Sequence, residues 1–100
     1  MKSNKVTDEK VVINKKDIRR FVGDALSDAR NSKKFTQEEF ASLLLNKYNI
    51  SLSLEAFKSY EQGRRVCPVD TFLILATILD LDVNNLKHKV KKDVLKGYSE

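Results

Sequence analysis

The sequence of 100 residues holds one cysteine, one histidine, one proline and three glycines, and each scarcity closes a route. A lone Cys67 cannot form an internal disulfide, and with His88 as its single companion no zinc site of the Cys/His kind can be assembled. This cysteine usage fits a reducing, cytoplasmic setting. His88 sits in Lys87-His88-Lys89 and reads as part of a solvated face. Cys67 and His88 lack a third group at the spacing a nucleophile–base pair needs, and Gly23, Gly63 and Gly97 are too scattered for a phosphate loop. The carboxylates fall on helix faces opposite lysines, where they read as surface pairs. The chain therefore reads as a non-enzyme with no metal and no cofactor. So few turn residues also exclude a β-rich fold. No apolar run approaches the roughly 20 residues of a membrane-spanning helix. Residues Met1 to Asn14 lack the apolar stretch of a signal peptide.

What the chain has is charge and helical periodicity. Charged residues make up 33% of it and the net charge is +5, which suits an anionic partner or simply a pair of solubilising ends. The excess is unevenly placed. Residues 1–16 carry five lysines against Asp8 and Glu9, and residues 17–63 carry seven basic and seven acidic groups. From Arg64 onward, seven basic residues face five acidic ones.

One domain is all this length supports. Residues 1–14 read as a flexible arm in which Val11-Val12-Ile13 lacks a strand partner. Ile18, Phe21, Val22, Ala25, Leu26 and Ala29 then make one apolar stripe, predicting a helix from Lys15 to Ser32 capped by Asn14. Gly23 within it marks either a close helix approach or a later start. Thr36-Gln37-Glu38-Glu39 is a capping box opening a second helix to about Tyr48, with Phe40, Ala41, Leu43, Leu44 and Tyr48 on its apolar face and Phe35 stapled onto Phe40. Ser53 caps a third helix, Leu54 to Gln62, with Ala56, Phe57 and Tyr60 inward and Gly63 at its end. A fourth runs from Val69 or Asp70 to Leu79, with Phe72, Leu73, Leu75, Ala76 and Leu79 apolar. Asp82 caps a fifth from Val83 to about His88. The expected class is all-α: a compact five-helix domain over residues 15–88, an N-terminal arm over 1–14 and a flexible basic tail over 89–100.

Three segments, VGDALSDARNSKKFTQEEFASLL, AFKSYEQGRRVCP and LILATILDLDVNNL, resemble the Cro/CI-type (Xre-family) helix-turn-helix domain. The resemblance spans Ile18 to Leu86. It rests on Arg30 closing the first helix, the TQEE start with Ala41, the Phe57, Glu61, Gly63 spacing, and Pro68 after it. It implies a lambda-repressor-like fold and a small repressor, of the phage or mobile-element kind, that binds double-stranded DNA as a homodimer. It also implies that Arg30 and Glu61 form a structural ion pair. One departure stands out: roughly six extra residues separate Ala41 from Phe57, predicting a longer second helix and a wider turn before the third.

Such a domain sets one helix across the phosphates and another in the major groove. Helix three would present Leu54, Glu55, Lys58 and Ser59 to base edges. Leu54 suits a thymine methyl and Glu55 suits cytosine N4, or Glu55 is favourable helix decoration that repels phosphate. Thr36 and Gln37 at the second helix's N-terminus, Ser53, Gln62, and Gly63 with Arg64 and Arg65 are the phosphate candidates. Thr36 and Ser53 are equally helix caps with no ligand. The alternative reading is a protein-interaction adaptor or antitoxin that uses the same fold on a protein partner, with Val90, Val94 and Leu95 lying along a partner helix.

Overall fold

A computed structural model describes residues 13–93 and Leu95. Five α-helices account for the secondary structure of these residues: α1 Lys15–Ser32, α2 Gln37–Tyr48, α3 Leu54–Glu61, α4 Val69–Ile78 and α5 Val83–Asp93. None of the described residues is in a strand. Residues 1–12, most of the expected arm, lie outside the described residues.

Local chemistry sets the helix starts. Asn14 accepts from the Lys16 amide, Ser53 from that of Ala56, and the Asp82 carboxylate from that of Asn85 at 3.2 Å. The Thr36–Glu39 capping box is closed in both directions: Glu39 N–H donates to Thr36 Oγ1 at 3.0 Å, and Thr36 N–H donates to Glu39 Oε1 at 2.8 Å. The ends are equally local. Lys34, Asn49 and Gly63 turn the chain with positive φ after α1, α2 and α3.

The extra residues before α3 are absorbed as expected. α2 runs to Tyr48, Asn49 caps it in the left-handed region, and Ile50 N–H donates to Leu44 O at 2.8 Å. Ile50 and Leu52 then pack against the core, so the wider turn adds apolar surface to the interior.

The core comprises Leu26 of α1, Phe40 and Leu44 of α2, Ala56, Phe57 and Tyr60 of α3, and Leu75 and Leu79 at α4. The Phe40 and Phe57 rings lie 5.3 Å apart at 47°, which ties α2 to α3, and Phe35 staples onto Phe40 at 5.9 Å. Burying each such side chain stabilises the fold by about 1.5–3 kcal/mol. An α3 of eight residues is too short to persist alone, so this packing is what makes it a helix.

Two expectations are corrected, for Tyr48 and for the end of α5. Tyr48, expected on the apolar face of α2, is 41% exposed, with the Lys47 ammonium 5.5 Å from its ring centre. It lies a full turn past Leu44, where the chain is about to turn away at Asn49. Leu73, one of the apolar residues of α4, is exposed because Phe72, Leu75, Ala76 and Leu79 hold the inward face and Leu73 falls beside it. α5 does not stop at His88 but continues through Lys89–Lys92 to Asp93. Val90 extends the half-buried stripe begun by Leu86, and Lys91 and Lys92 complement the negative end of the helix. Residues 89–93 are therefore helix.

Gly23 is neither a weak point nor a helix start. A Cβ there would clash with the backbone carbonyl oxygen of Glu61 and fall 2.5 Å from that of Tyr60. The glycine lets α3 lie directly on the backbone of α1. Gly23→Ala gains about 1 kcal/mol of intrinsic helix propensity. It nevertheless forces two helices apart, so urea titration should show a net loss of about 1–3 kcal/mol.

Candidate nucleic-acid interface

At the C-terminal end of α3 the structure gathers the groups that α1 and α2 offer it. Arg30 on the last turn of α1 grips Glu61 with both arms of its guanidinium: Nε donates to Oε2 at 2.7 Å and Nη2 to Oε1 at 3.0 Å. Its third nitrogen, Nη1, donates to the Phe35 carbonyl oxygen at 2.6 Å and so holds the α1–α2 turn as well. Both side chains are buried, and the Glu61 hydrogen bond raises the Arg30 pKa against the opposing effect of burial. This is the pair implied by the family resemblance, and its geometry is structural.

Gln37 enters the same knot. Its Nε2 donates to Glu61 Oε1 at 2.9 Å, so one N–H of the amide assigned to phosphate is used within the protein and the other is left for a ligand. Thr36 is likewise engaged, its hydroxyl oxygen and amide both used in the capping box. What α2 offers outward is the N-terminal helix end itself, where the first-turn carboxylates Glu38 and Glu39 also stand. Because Gln37 reaches Glu61, that end meets the C-terminal end of α3.

The turn after α3 differs from expectation in one respect. The Gly63 amide, assigned to phosphate, donates to Tyr60 O at 3.1 Å, and the Arg64 amide donates to Ser59 O at 2.9 Å. Both close the helix end, leaving neither amide for a ligand. Gly63 matters instead for its backbone: φ is +71°, and an added Cβ would stand 3.1 Å from the Arg20 backbone. This contact brings in two residues that the sequence reading did not single out. Arg19 Nε donates to Gly63 O at 3.3 Å, and Arg20 follows it on α1. Arg19, Arg20, Arg64 and Arg65 thus surround one turn. Arg20, Arg64 and Arg65 are exposed, and Arg64 Nη1 donates to Gln62 Oε1 at 3.1 Å. The Arg19-Arg20 pair was visible in the chain, but its placement depended on recognising Gly23 as the point where α1 meets α3.

Along α3, Leu54, Lys58 and Ser59 are half-buried while Glu55 and Gln62 are exposed. Phe57 and Tyr60 face inward. Glu55, Lys58, Ser59 and Gln62 lie on the outward side, whereas Leu54, three residues before Phe57, stands half-buried at the margin of the inner face. Ser53 serves as the cap, with its hydroxyl oxygen accepting from Ala56 at 3.0 Å. Chemically this is a short helix with one cation, one carboxylate and two small or amide polar groups on its open side. The turn at its end carries Arg64 and Arg65 and meets Arg19 and the Arg20 backbone, and guanidinium groups suit forked contacts with phosphate.

Cys67 stands apart from these residues. It packs against the core, and burial, helped by the Asp70 charge, raises its thiol pKa to about 11. Among the described residues no three His, Cys, Asp or Glu side chains are grouped to hold a metal ion, and no helix is long and apolar enough to cross a membrane. No protein family, curated protein or solved structure matches the chain.

Two outcomes follow from this chemistry. Arg30→Ala strands Glu61 in the interior with Gln37 alone, so denaturant titration should register a loss of about 3–5 kcal/mol. At pH 8 the folded protein should react with iodoacetamide at Cys67 about 100-fold more slowly than the urea-unfolded chain, because its thiolate is that much scarcer. Equal rates in the two states would contradict the raised pKa.

Proposed function

We propose that this protein is a sequence-specific DNA-binding regulator of transcription of Cro/CI type, acting as a small repressor. α3 enters the major groove, with Leu54, Glu55, Lys58 and Ser59 toward base edges. Arg64, Arg65, Arg20 and the N-terminal end of α2 rest on phosphates. The observation that carries this reading is the junction at Glu61, which binds the start of α2 to the end of α3 beside a cluster of arginines. Two helices held rigidly across a turn, with guanidinium groups at one end, suit a phosphate-lined groove.

The homodimer implied by the family resemblance has support in α4. Val66, Val69, Leu73 and Ile74 are exposed by 45–73% along a stretch whose first turn carries Asp70 and whose last turn has no basic residue. A helix apolar on nearly every side is suited to burial, and two copies of a +5 chain repel least where charge is sparse. On duplex DNA such a dimer would address half-sites about 34 Å apart.

A second reading, an adaptor or antitoxin that binds a protein partner, draws on two observations. Leu54 and Glu55 lack the forked donors that discriminate adenine and guanine, and one N–H of the Gln37 side chain is taken by Glu61. Selection from a random duplex pool separates the two readings. Recovery of a shared motif supports the regulator, whereas a folded protein that retains no duplex at about 50 mM salt overturns it. In anisotropy titrations, replacing Arg64 and Arg65 together with alanine should weaken all duplexes alike and reduce the salt slope by up to about two. Arg20→Ala should reduce it by about one, while Lys58→Ala should change the preferred sequence.

A further inference from the structure

α1 has a second working side. Gly23, Leu26 and Arg30 face α3, whereas Phe21, Asp24, Ala25, Asp28 and Ser32 line a cavity of about 720 Å³ between α1 and α5. At 100° per residue these two sets lie about half a turn apart, so the cavity opens away from α3 and its arginines. The expected single stripe of α1 is thus split: Leu26 joins the core, and Phe21 and Ala25 form the floor of a groove.

The groove exists because α5 is thinly packed. No residue of α5 is buried, and its inward stripe is limited to the half-covered Leu86 and Val90. Leu86, Leu79 and Leu81 therefore stand across from Phe21 and Ala25 with space between them. The walls are acidic. Asp24 and Asp28 project from α1, Asp80 and Asp82 from the α4–α5 turn and Asp93 from the end of α5, against Lys33 and Lys89. The surface pairing expected for the carboxylates is absent here: the ion pair within 4 Å among the described residues is Arg30–Glu61. Five carboxylates around an apolar floor, in a chain of net charge +5, make a local field opposite in sign to the whole.

We propose that this groove is the docking site for a cationic amphipathic helix of a partner protein. Its apolar side chains fill the gap between Phe21, Ala25 and Leu86, and its lysine or arginine side chains pair with Asp24, Asp28, Asp80 and Asp82. Charge complementarity selects the occupant: nucleic acid is repelled, and a neutral apolar segment leaves the carboxylates unpaired. Length agrees, since the wall from Phe21 to Ser32 spans about 17 Å, equal to a helix of about 12 residues. The proposal is independent of DNA binding and places a protein partner on the side of α1 that the arginine cluster does not use.

The test titrates the full chain into a fluorescein-labelled amphipathic peptide of about 12 lysine and leucine residues. Saturable binding is expected, weakened about tenfold for a peptide of the same composition in scrambled order and about tenfold by Asp24→Asn with Asp28→Asn. Both aspartates are exposed, so circular dichroism of the double variant should match that of the parent. Amide shifts in NMR spectra should map to α1 and α5, and binding to duplex DNA should be unchanged by the double variant. Absence of saturable binding overturns the proposal, as does equal affinity in the double variant or shifts confined to the exposed side of α4. If the peptide binds only after residues 1–12 are removed, the occupant is this chain's own N-terminal segment and the partner helix is rejected.

Discussion

The backbone contact of α1 with α3 at Gly23 sets the position of nearly everything else. Because no side chain separates the helices there, the Tyr60 and Glu61 carbonyl oxygens rest on α1. The Glu61 side chain is brought within reach of Arg30 seven residues further along. Close approach comes first in this logic: a guanidinium can hold a buried carboxylate with two hydrogen bonds only if the helices already lie at that separation. The pair then fixes register, since a slide of either helix would break both bonds. Glu61 also takes Gln37, and Arg30 also takes the Phe35 carbonyl. Three helices and one turn are thus tied through two charged side chains.

That arrangement explains how an eight-residue helix can serve as a presenting element. α3 is capped by Ser53, held along its middle by Phe57 against Phe40, and anchored at its end by Glu61. Every hold lies on the inner side, so the outer side is free to carry Glu55, Lys58 and Gln62 without altering the fold. On the proposed DNA-binding reading, sequence preference can change through these residues while the scaffold stays intact.

Much of this was legible in the chain because the signals are local. Asn14, the Thr36–Glu39 box, Ser53 and Asp82 announced helix starts with chemistry that operates within three residues, and each start is where the structure has it. Phe57, Tyr60, Leu26 and Leu44 were legible as core from helical spacing. What spacing could not show was which side of α1 met which neighbour, because Ile18 to Ala29 reads as one broad stripe and becomes two. Gly23 was seen as ambiguous for the same reason: its meaning depends on the α3 backbone that crosses it. Tyr48 misled because an apolar residue beside a helix face is indistinguishable in sequence from one within it. Sequence also does not reveal that one N–H of the Gln37 side chain bonds Glu61 and that the Gly63 amide bonds Tyr60. Arg19 and Arg20 went unnoticed because their neighbour Gly63 is more than forty residues away.

Charge is the quantity whose meaning changed most. Counted along the chain, residues 17–63 are balanced and the excess belongs to the ends. In three dimensions that balance separates. Arg19 and Arg20 on the first turns of α1 join Arg64 and Arg65, whereas Asp24 and Asp28, one and two turns later on another face, join Asp80, Asp82 and Asp93. The same helix therefore serves a positive region at its start and a negative groove along its flank. Neutral composition here comes from two opposed fields that nearly cancel in a sum. With a Debye length of about 8–10 Å at physiological ionic strength, solvent weakens the influence that exposed groups on opposite sides of a helix about 10 Å across have on one another. Each side can then meet a partner of its own sign preference, and a single α1, pinned at Gly23 and Arg30, holds both in fixed relation.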